Sequence, residues 1–232
     1  MGDGKTLKIP RFFSPKSFEV KHTHASIVLG SCPLQKKTKT IVELGCGNGV
    51  VLVLIALLNP FVEKLIGVDV NPKACEVARE FVKLNSLENR IKILNTDIKD
   101  VRNELKCEMA DLVVFNPPFH ISGKVSVEKG RFLERNANVF ESFVDATRLI
   151  LKNKGIFRFV TSPNNILTYF EVLLRSNMIP KYLTPVYGKR GVESKLALIE
   201  GTKNGNLPGF RIKEPVFLDK IETFAPLHSE SA

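Results

Sequence analysis

The stretch DLVVFNPPFH, residues 111–120, ends an apolar run in an amide, two prolines and an aromatic ring, Asn116-Pro117-Pro118-Phe119. Prolines alone would make a turn, but a fixed amide beside an exposed ring at a strand end suits a flat substrate with a polar edge. Upstream, VELGCGNG sets Glu43, Gly45, Cys46, Gly47, Asn48 and Gly49 between a β-branched run and a helix-length apolar run. Glycines in that position let the chain turn sharply and bring bare backbone against a ligand. They alternate as G-x-G-x-G rather than in the G-x-G-x-x-G spacing that cradles a pyrophosphate, and an acid precedes them. A carboxylate there repels phosphate and suits a cationic amino-acid group.

Two further strand ends carry acids. GVDVNP places Asp69 and Val70 about twenty residues after the glycines, where a carboxylate can take both hydroxyls of a ribose. LNTDI places Asp97 and the Ile98 amide where they can accept from an adenine amino group and donate to its ring nitrogen. An amino-acid end, a ribose and an adenine together make the inventory of S-adenosylmethionine, the cofactor expected here.

These groups need a scaffold that brings successive strand ends together. From Thr38 onward, buried-type strands alternate with helical segments. The strands are KTIVELG, KLIGVDV, RIKILN, ADLVVFN and GIFRFVT; the helices are NGVVLVLIALLN, Lys73 to Asn85, a short one near Lys99 to Leu105, Val139 to Leu151, and Pro163 to Ser176. Such alternation predicts an α/β fold, a Rossmann-like, mostly parallel sheet with helices on both faces. Two last strands, near Lys181 to Val186 and Lys195 to Glu200, are joined by YGKRGVES, too short for a helical crossover. They should form an antiparallel edge hairpin and bring the count to seven. The ligand then belongs beyond the carboxyl ends of the central strands, where the winding reverses. The expected organisation is a basic, aromatic leader over residues 1–37, the sheet domain over 38–200 and an extension over 201–232 whose last residues, APLHSESA, look frayed.

Lysine and arginine outnumber acids 34 to 24, a formal charge of +10 that draws the chain toward polyanions, with RNA or DNA as the partner to expect. The leader strip Lys8 to Lys21 interleaves four basic residues with three phenylalanines, a pattern for phosphates and stacked bases or simply for packing with lysines in solvent. His120 to Asn136 reads as a polar loop beside the acceptor motif. Its Lys124, Lys129, Arg131 and Arg135 can hold flanking phosphates or be solvated. The four cysteines are scattered without C-x-x-C spacing, which points to free thiols in a reducing, cytoplasmic compartment. No window has the length of a membrane span. His22 and His24 lack a third ligand, so no metal site is expected. GDGKT near the start lacks the strand and upstream glycine of a phosphate loop.

The ordered motifs ELGCGNG (Glu43 to Gly49), Asp69, Asp97 and Asn116-Pro117-Pro118-Phe119 resemble those of class I S-adenosylmethionine-dependent methyltransferases, over about Thr38 to Glu200. The N-P-P-[FY] form resembles enzymes that methylate a planar nitrogen: adenine N6, guanine N2 or a glutamine side-chain amide. The short leader, Leu29-Gly30 and the basic KGRFLERN segment are most similar to the bacterial enzymes that methylate N6 of the adenine following the anticodon in valine tRNA. The resemblance implies that the Asn116 side-chain oxygen and the Pro117 carbonyl accept from the target amino group, that Pro118 stiffens the loop and that Phe119 clamps the base. It places Asn116 among the cofactor-binding residues as well as the catalytic ones. A base in such a pocket must come from a loop or be flipped out. Alternatives from the same motifs are a release-factor glutamine methyltransferase, whose family carries a sizeable helical domain before the sheet, and a guanine-N2 RNA methyltransferase. A silent RNA-binding or methyltransferase-partner protein is the non-enzyme alternative.

Overall fold

The computed structural model describes residues 7–8, 10, 12–14, 23–118, 129–222 and 227–228. In chain order these form α1 (His24–Gly30), β1 (Thr40–Leu44), α2 (Val50–Leu58), β2 (Lys64–Asp69), α3 (Pro72–Leu84), β3 (Ile91–Asn95), α4 (Val101–Glu104), β4 (Ala110–Phe115), α5 (Lys129–Ile150), β5 (Leu151–Thr161), α6 (Ile166–Arg175), β6 (Met178–Tyr187) and β7 (Leu196–Lys203). The order across the sheet is β6-β7-β5-β4-β1-β2-β3. All neighbours are parallel except β7, which runs antiparallel between β5 and β6. This is the Rossmann-like sheet with an antiparallel edge hairpin that the alternation predicts. The winding runs one way through β1, β2 and β3 and the other way from β4, so the crevice for a ligand opens between β1 and β4.

Alternate residues of each strand face opposite layers, which is why fully apolar strands are required. Ile41, Leu112 and Val114 pack under α1, α2 and α3, while Val42, Leu44, Val113 and Phe115 pack under α5 and α6. On the second face Phe115 stacks on Phe159 and on Phe143, with centroids 5.1 and 5.5 Å apart. Rings of this size supply much of the layer's burial.

The described residues of the leader pack against the sheet domain. Thr23 caps α1 reciprocally with Ser26, and Gly30 lets α1 press on α2, since a Cβ there would stand 2.9 Å from Leu54 Cβ. Buried Arg158 holds the chain after α1 by donating to the Pro33 carbonyl, while its Nε lies 2.5 Å from Glu200 Oε2. Phe12 of the basic, aromatic strip is buried edge-on against Phe81, and Phe13 is exposed.

Four expectations change. Residues 129–136, expected in a loop, already belong to α5, because the helical spacing of its apolar residues extends upstream of Val139. β7 runs through Lys203 instead of ending at Glu200, since Gly201 and Lys203 still pair with β6. Arg211–Ile212 and Val216–Phe217 add short parallel pairings to the outer edge of β6, so the hairpin is not left open there. Leu227–His228, within the tail expected to fray, pair with Phe13–Ser14.

Gly201 is fixed by close approach: a Cβ would lie 2.2 Å from Phe157 Cζ and 2.5 Å from the Ile179 carbonyl oxygen. Gly201→Ala should therefore cost about 3 kcal/mol by overpacking, which for a chain of this size lowers Tm by roughly 6–12 °C. A melting temperature unchanged in thermal denaturation would show that the hairpin yields there.

Candidate active site

The carboxyl ends of β4, β1, β2 and β3 lie side by side: Phe115 pairs with Leu44, Leu44 with Val68, and Asp69 with Asn95. The residues immediately beyond, Asn116, Gly45, Val70 and the turn leading to Asp97, therefore form one row.

The first loop is held by backbone. Gly45 and Cys46 donate to the Val68 carbonyl at 2.8 and 3.0 Å. Gly45, Gly47 and Gly49 take φ of 71°, 51° and 79°. That left-handed region is costly for residues with a Cβ. A Cβ on Gly47 would meet nothing within 4 Å, so its backbone faces open space. Half-buried Asn48 lies between Gly47 and buried Gly49. Cys46 is buried, and burial, then Glu43 and Asp69, push its thiol well up, so it packs as a neutral small residue.

Asp69 ties this loop to the next. Its Oδ2 accepts from Gly47 N–H and its Oδ1 from Asn71 N–H, both at 2.8 Å. A carboxylate offers about four lone-pair sites, so two remain for hydroxyl donors. Asn71 in turn caps α3, with Pro72 in the first turn. Val70 is 64% exposed, an apolar surface suited to one face of a planar ring. Asn95 Nδ2 fixes the loop by donating to the carbonyls of Asp69 and Val70.

Half-buried Asp97 and Ile98 start the turn after β3, where Asp97 Oδ1 accepts from Lys99 N–H at 2.9 Å. Glu43, by contrast, lies inside. It is 2% exposed, its Oε2 has no hydrogen-bond partner among the described residues, and burial followed by the charge of Asp69 raises its carboxyl well above the ordinary range, against the Leu52 amide. A cationic ligand group would supply what Oε2 lacks.

Asn116 is half-buried, and its Oδ1 is buried without a donor among the described residues. Pro117 is buried and Pro118 exposed. Phe119 and Lys124 lie outside the described residues. Lys129, Arg131 and Arg135 lie on the first turns of α5 rather than on a loop.

Two residues missing from the sequence reading hold this row together. Gly67, paired with Glu43 and Ile93, has no room for a Cβ: Cys46 Sγ and Leu52 Cδ1 would both stand 2.7 Å away. Its signal was a glycine inside an apolar strand, which marks close approach. The ring of Phe143 on α5 would stand 3.4 Å from a Cβ on Gly45 and stacks on Phe115, next to Asn116, and a single apolar residue on a helix carries no such signal.

The groups present fit S-adenosylmethionine: an unpaired buried acceptor for an ammonium, a pinned carboxylate for a ribose, an exposed valine and a polar turn for an adenine. Among the described residues no group of three potential ligands fit to hold a metal ion is present, and no helix is long and apolar enough to cross a membrane.

Comparison with known proteins agrees. Residues 20–178 match the family described as Methyltransferase small domain. A tRNA1(Val) (adenine(37)-N6)-methyltransferase of a Flavobacteriaceae bacterium is 24% identical over 83% of this chain and 80% of its own. The Ribosomal RNA large subunit methyltransferase G of Vibrio vulnificus is 30% identical over 84% of this chain, which spans less than half of that longer protein, 46%. Among solved structures, a predicted O-methyltransferase of Agrobacterium tumefaciens superposes with a TM-score of 0.68 at 18% identity, over 83% of this chain and 86% of the other, a likeness of fold.

Because folding favours neutral Glu43, the folded chain keeps a proton that the unfolded chain releases above the ordinary 4.5. The associated stability is present below that pH and is lost as pH rises toward the raised folded value. Ligand-free Glu43→Gln should thus melt above wild type at alkaline pH and converge with it in acid. Parallel melting curves at every pH would mean that the carboxyl is not held neutral.

Proposed function

The chain belongs to the methyltransferase small domain family of S-adenosylmethionine-dependent enzymes, and we propose that it methylates an exocyclic amino nitrogen of RNA, first of all adenine N6 beside the anticodon of a tRNA. The observation that carries this reading is the buried, donor-less Oδ1 of Asn116 at the end of β4, beside the glycine loop. A buried acceptor left unpaired costs about 1–3 kcal/mol, and an amino N–H is the group that repairs it.

When bound, the cofactor supplies a methyl group on a sulfonium. Glu43 takes its ammonium, Asp69 its ribose hydroxyls, and Asp97 with the Ile98 amide its adenine, while Gly45 to Gly49 and Val70 shape the cradle. Asn116 Oδ1 and the Pro117 carbonyl accept from the target amino group and fix its nitrogen in line with the methyl carbon. That lone pair is delocalised into the ring, and two acceptors favour the pyramidal form that frees it. Alignment adds a proximity effect. With the cofactor bound, that nitrogen would take the methyl group as the sulfonium leaves as a thioether, and the amino proton would pass to water. Glu43 is buried, and no tuned base is required.

RNA is favoured over a protein glutamine by the +10 charge and by the similarity to a tRNA adenine-N6 enzyme over most of both chains. Free thiols and such a substrate favour a reducing, cytoplasmic compartment.

Labelled methyl from S-adenosylmethionine should pass to unmodified bulk tRNA and appear as N6-methyladenosine on nucleoside analysis. Asn116→Ala should lose roughly a hundredfold or more in turnover while still binding cofactor. Label in a release factor alone would transfer the site to a glutamine amide, and label in N2-methylguanosine would change the base. Asp69→Ala should weaken cofactor binding by roughly 10–100-fold, as expected for loss of charged hydrogen bonds. Unchanged affinity in calorimetry would take the ribose away from Asp69.

A further inference from the structure

At the opposite end of the sheet, a cleft of about 600 Å³ opens along the amino ends of β4 and β5 and the residues just before β1. A local irregularity builds it. Ala110 pairs with Leu151 and Leu112 with Ile156, so residues 152–155 bulge out opposite Asp111 alone. Lys154 adopts a left-handed φ of 60° at the tip of that bulge. Bulges re-aim side chains, and this one turns Lys152 and Lys154 into the cleft, where Lys37 and Lys181 also stand.

The acids of the cleft are already taken. Asp111 Oδ1 lies 2.6 Å from Lys152 Nζ, and its Oδ2 accepts from the amides of Lys39 and Thr40. Glu200 is shared between Arg158 and Lys213. Lys154 and Lys181 donate only to neutral carbonyls, those of Asn204, Asn206 and Pro208, and Lys37 forms no ion pair among the described residues. Three lysines with no carboxylate partner among the described residues therefore line one concavity.

We infer that this cleft holds the phosphate backbone of the RNA substrate, away from the nucleotide being methylated. The inference rests on the RNA reading of the acceptor site. From Asp111 to Asn116 the strand advances five residues, about 17 Å. Cleft and acceptor loop thus sit at opposite ends of β4, and only a ligand of macromolecular size reaches both. Phosphate contacts of this kind fix register and affinity without reading sequence.

The test is filter binding of unmodified bulk tRNA over a range of salt, using wild type, the triple variant Lys37→Gln, Lys154→Gln, Lys181→Gln, and the matching triple arginine variant. Cofactor affinity and melting temperature serve as controls for folding. The glutamine variant should bind tRNA roughly tenfold or more weakly at low salt, and its slope of log affinity against log salt should shrink by about two to three. The arginine variant should bind like wild type, with cofactor affinity the same in all three. Wild-type binding left unchanged in the glutamine variant would overturn the cleft assignment alone and leave the cleft to an acidic protein. Failure of wild type itself to bind or methylate tRNA would overturn the RNA reading, and the cleft with it.

Discussion

The carboxylate of Asp69 is the knot on which the site depends. One oxygen holds the Gly47 amide of the loop after β1, and the other holds the Asn71 amide at the start of α3. The same residue's carbonyl accepts from Asn95 Nδ2 and from Thr96 N–H, which brings in the end of β3. Three loops that a parallel sheet would let wander are thereby tied to one residue, two by its side chain and the third by its carbonyl. Its negative charge lies near the amino end of α3, where the helix dipole favours it. The price is felt at Glu43, whose charged form is disfavoured by the fixed charge of Asp69 as well as by burial.

Two acceptors at this end of the sheet, Glu43 Oε2 and Asn116 Oδ1, are buried without donors. Folding alone would select against both, and the aromatic layer of Phe115, Phe143 and Phe159 holds the strand end rigid despite them. A site that leaves its acceptors unsatisfied is prepared for ligands that carry N–H groups. Gly67 and Phe143 support it from either face: the first by leaving room for Cys46 and Leu52, the second by linking Gly45 to the strand that ends at Asn116.

The same strands serve two purposes at their two ends. Carboxyl ends present acids, amides and bare backbone in a row, while amino ends present lysines whose neighbouring carboxylates are neutralised. The net positive charge of the chain is thus not spread evenly around its polar groups. It gathers partly where β5 bulges out opposite Asp111.

The local chemistry was legible in the sequence. Glycines after a β-branched run, acids at successive strand ends, prolines after an apolar strand and the alternation of periods all depend on neighbours in the chain, and residue types alone report them. What depends on distant partners was not. Strand order, with β7 slipped between β5 and β6, follows from which faces can be buried together. The early start of α5, the pairing of the tail with β6 and with Phe13–Ser14, and the bulge opposite Asp111 each need a partner far away in sequence. So does the raised carboxyl of Glu43: its type suggested a charged ligand group, but only burial beside Asp69 disfavours its charged form.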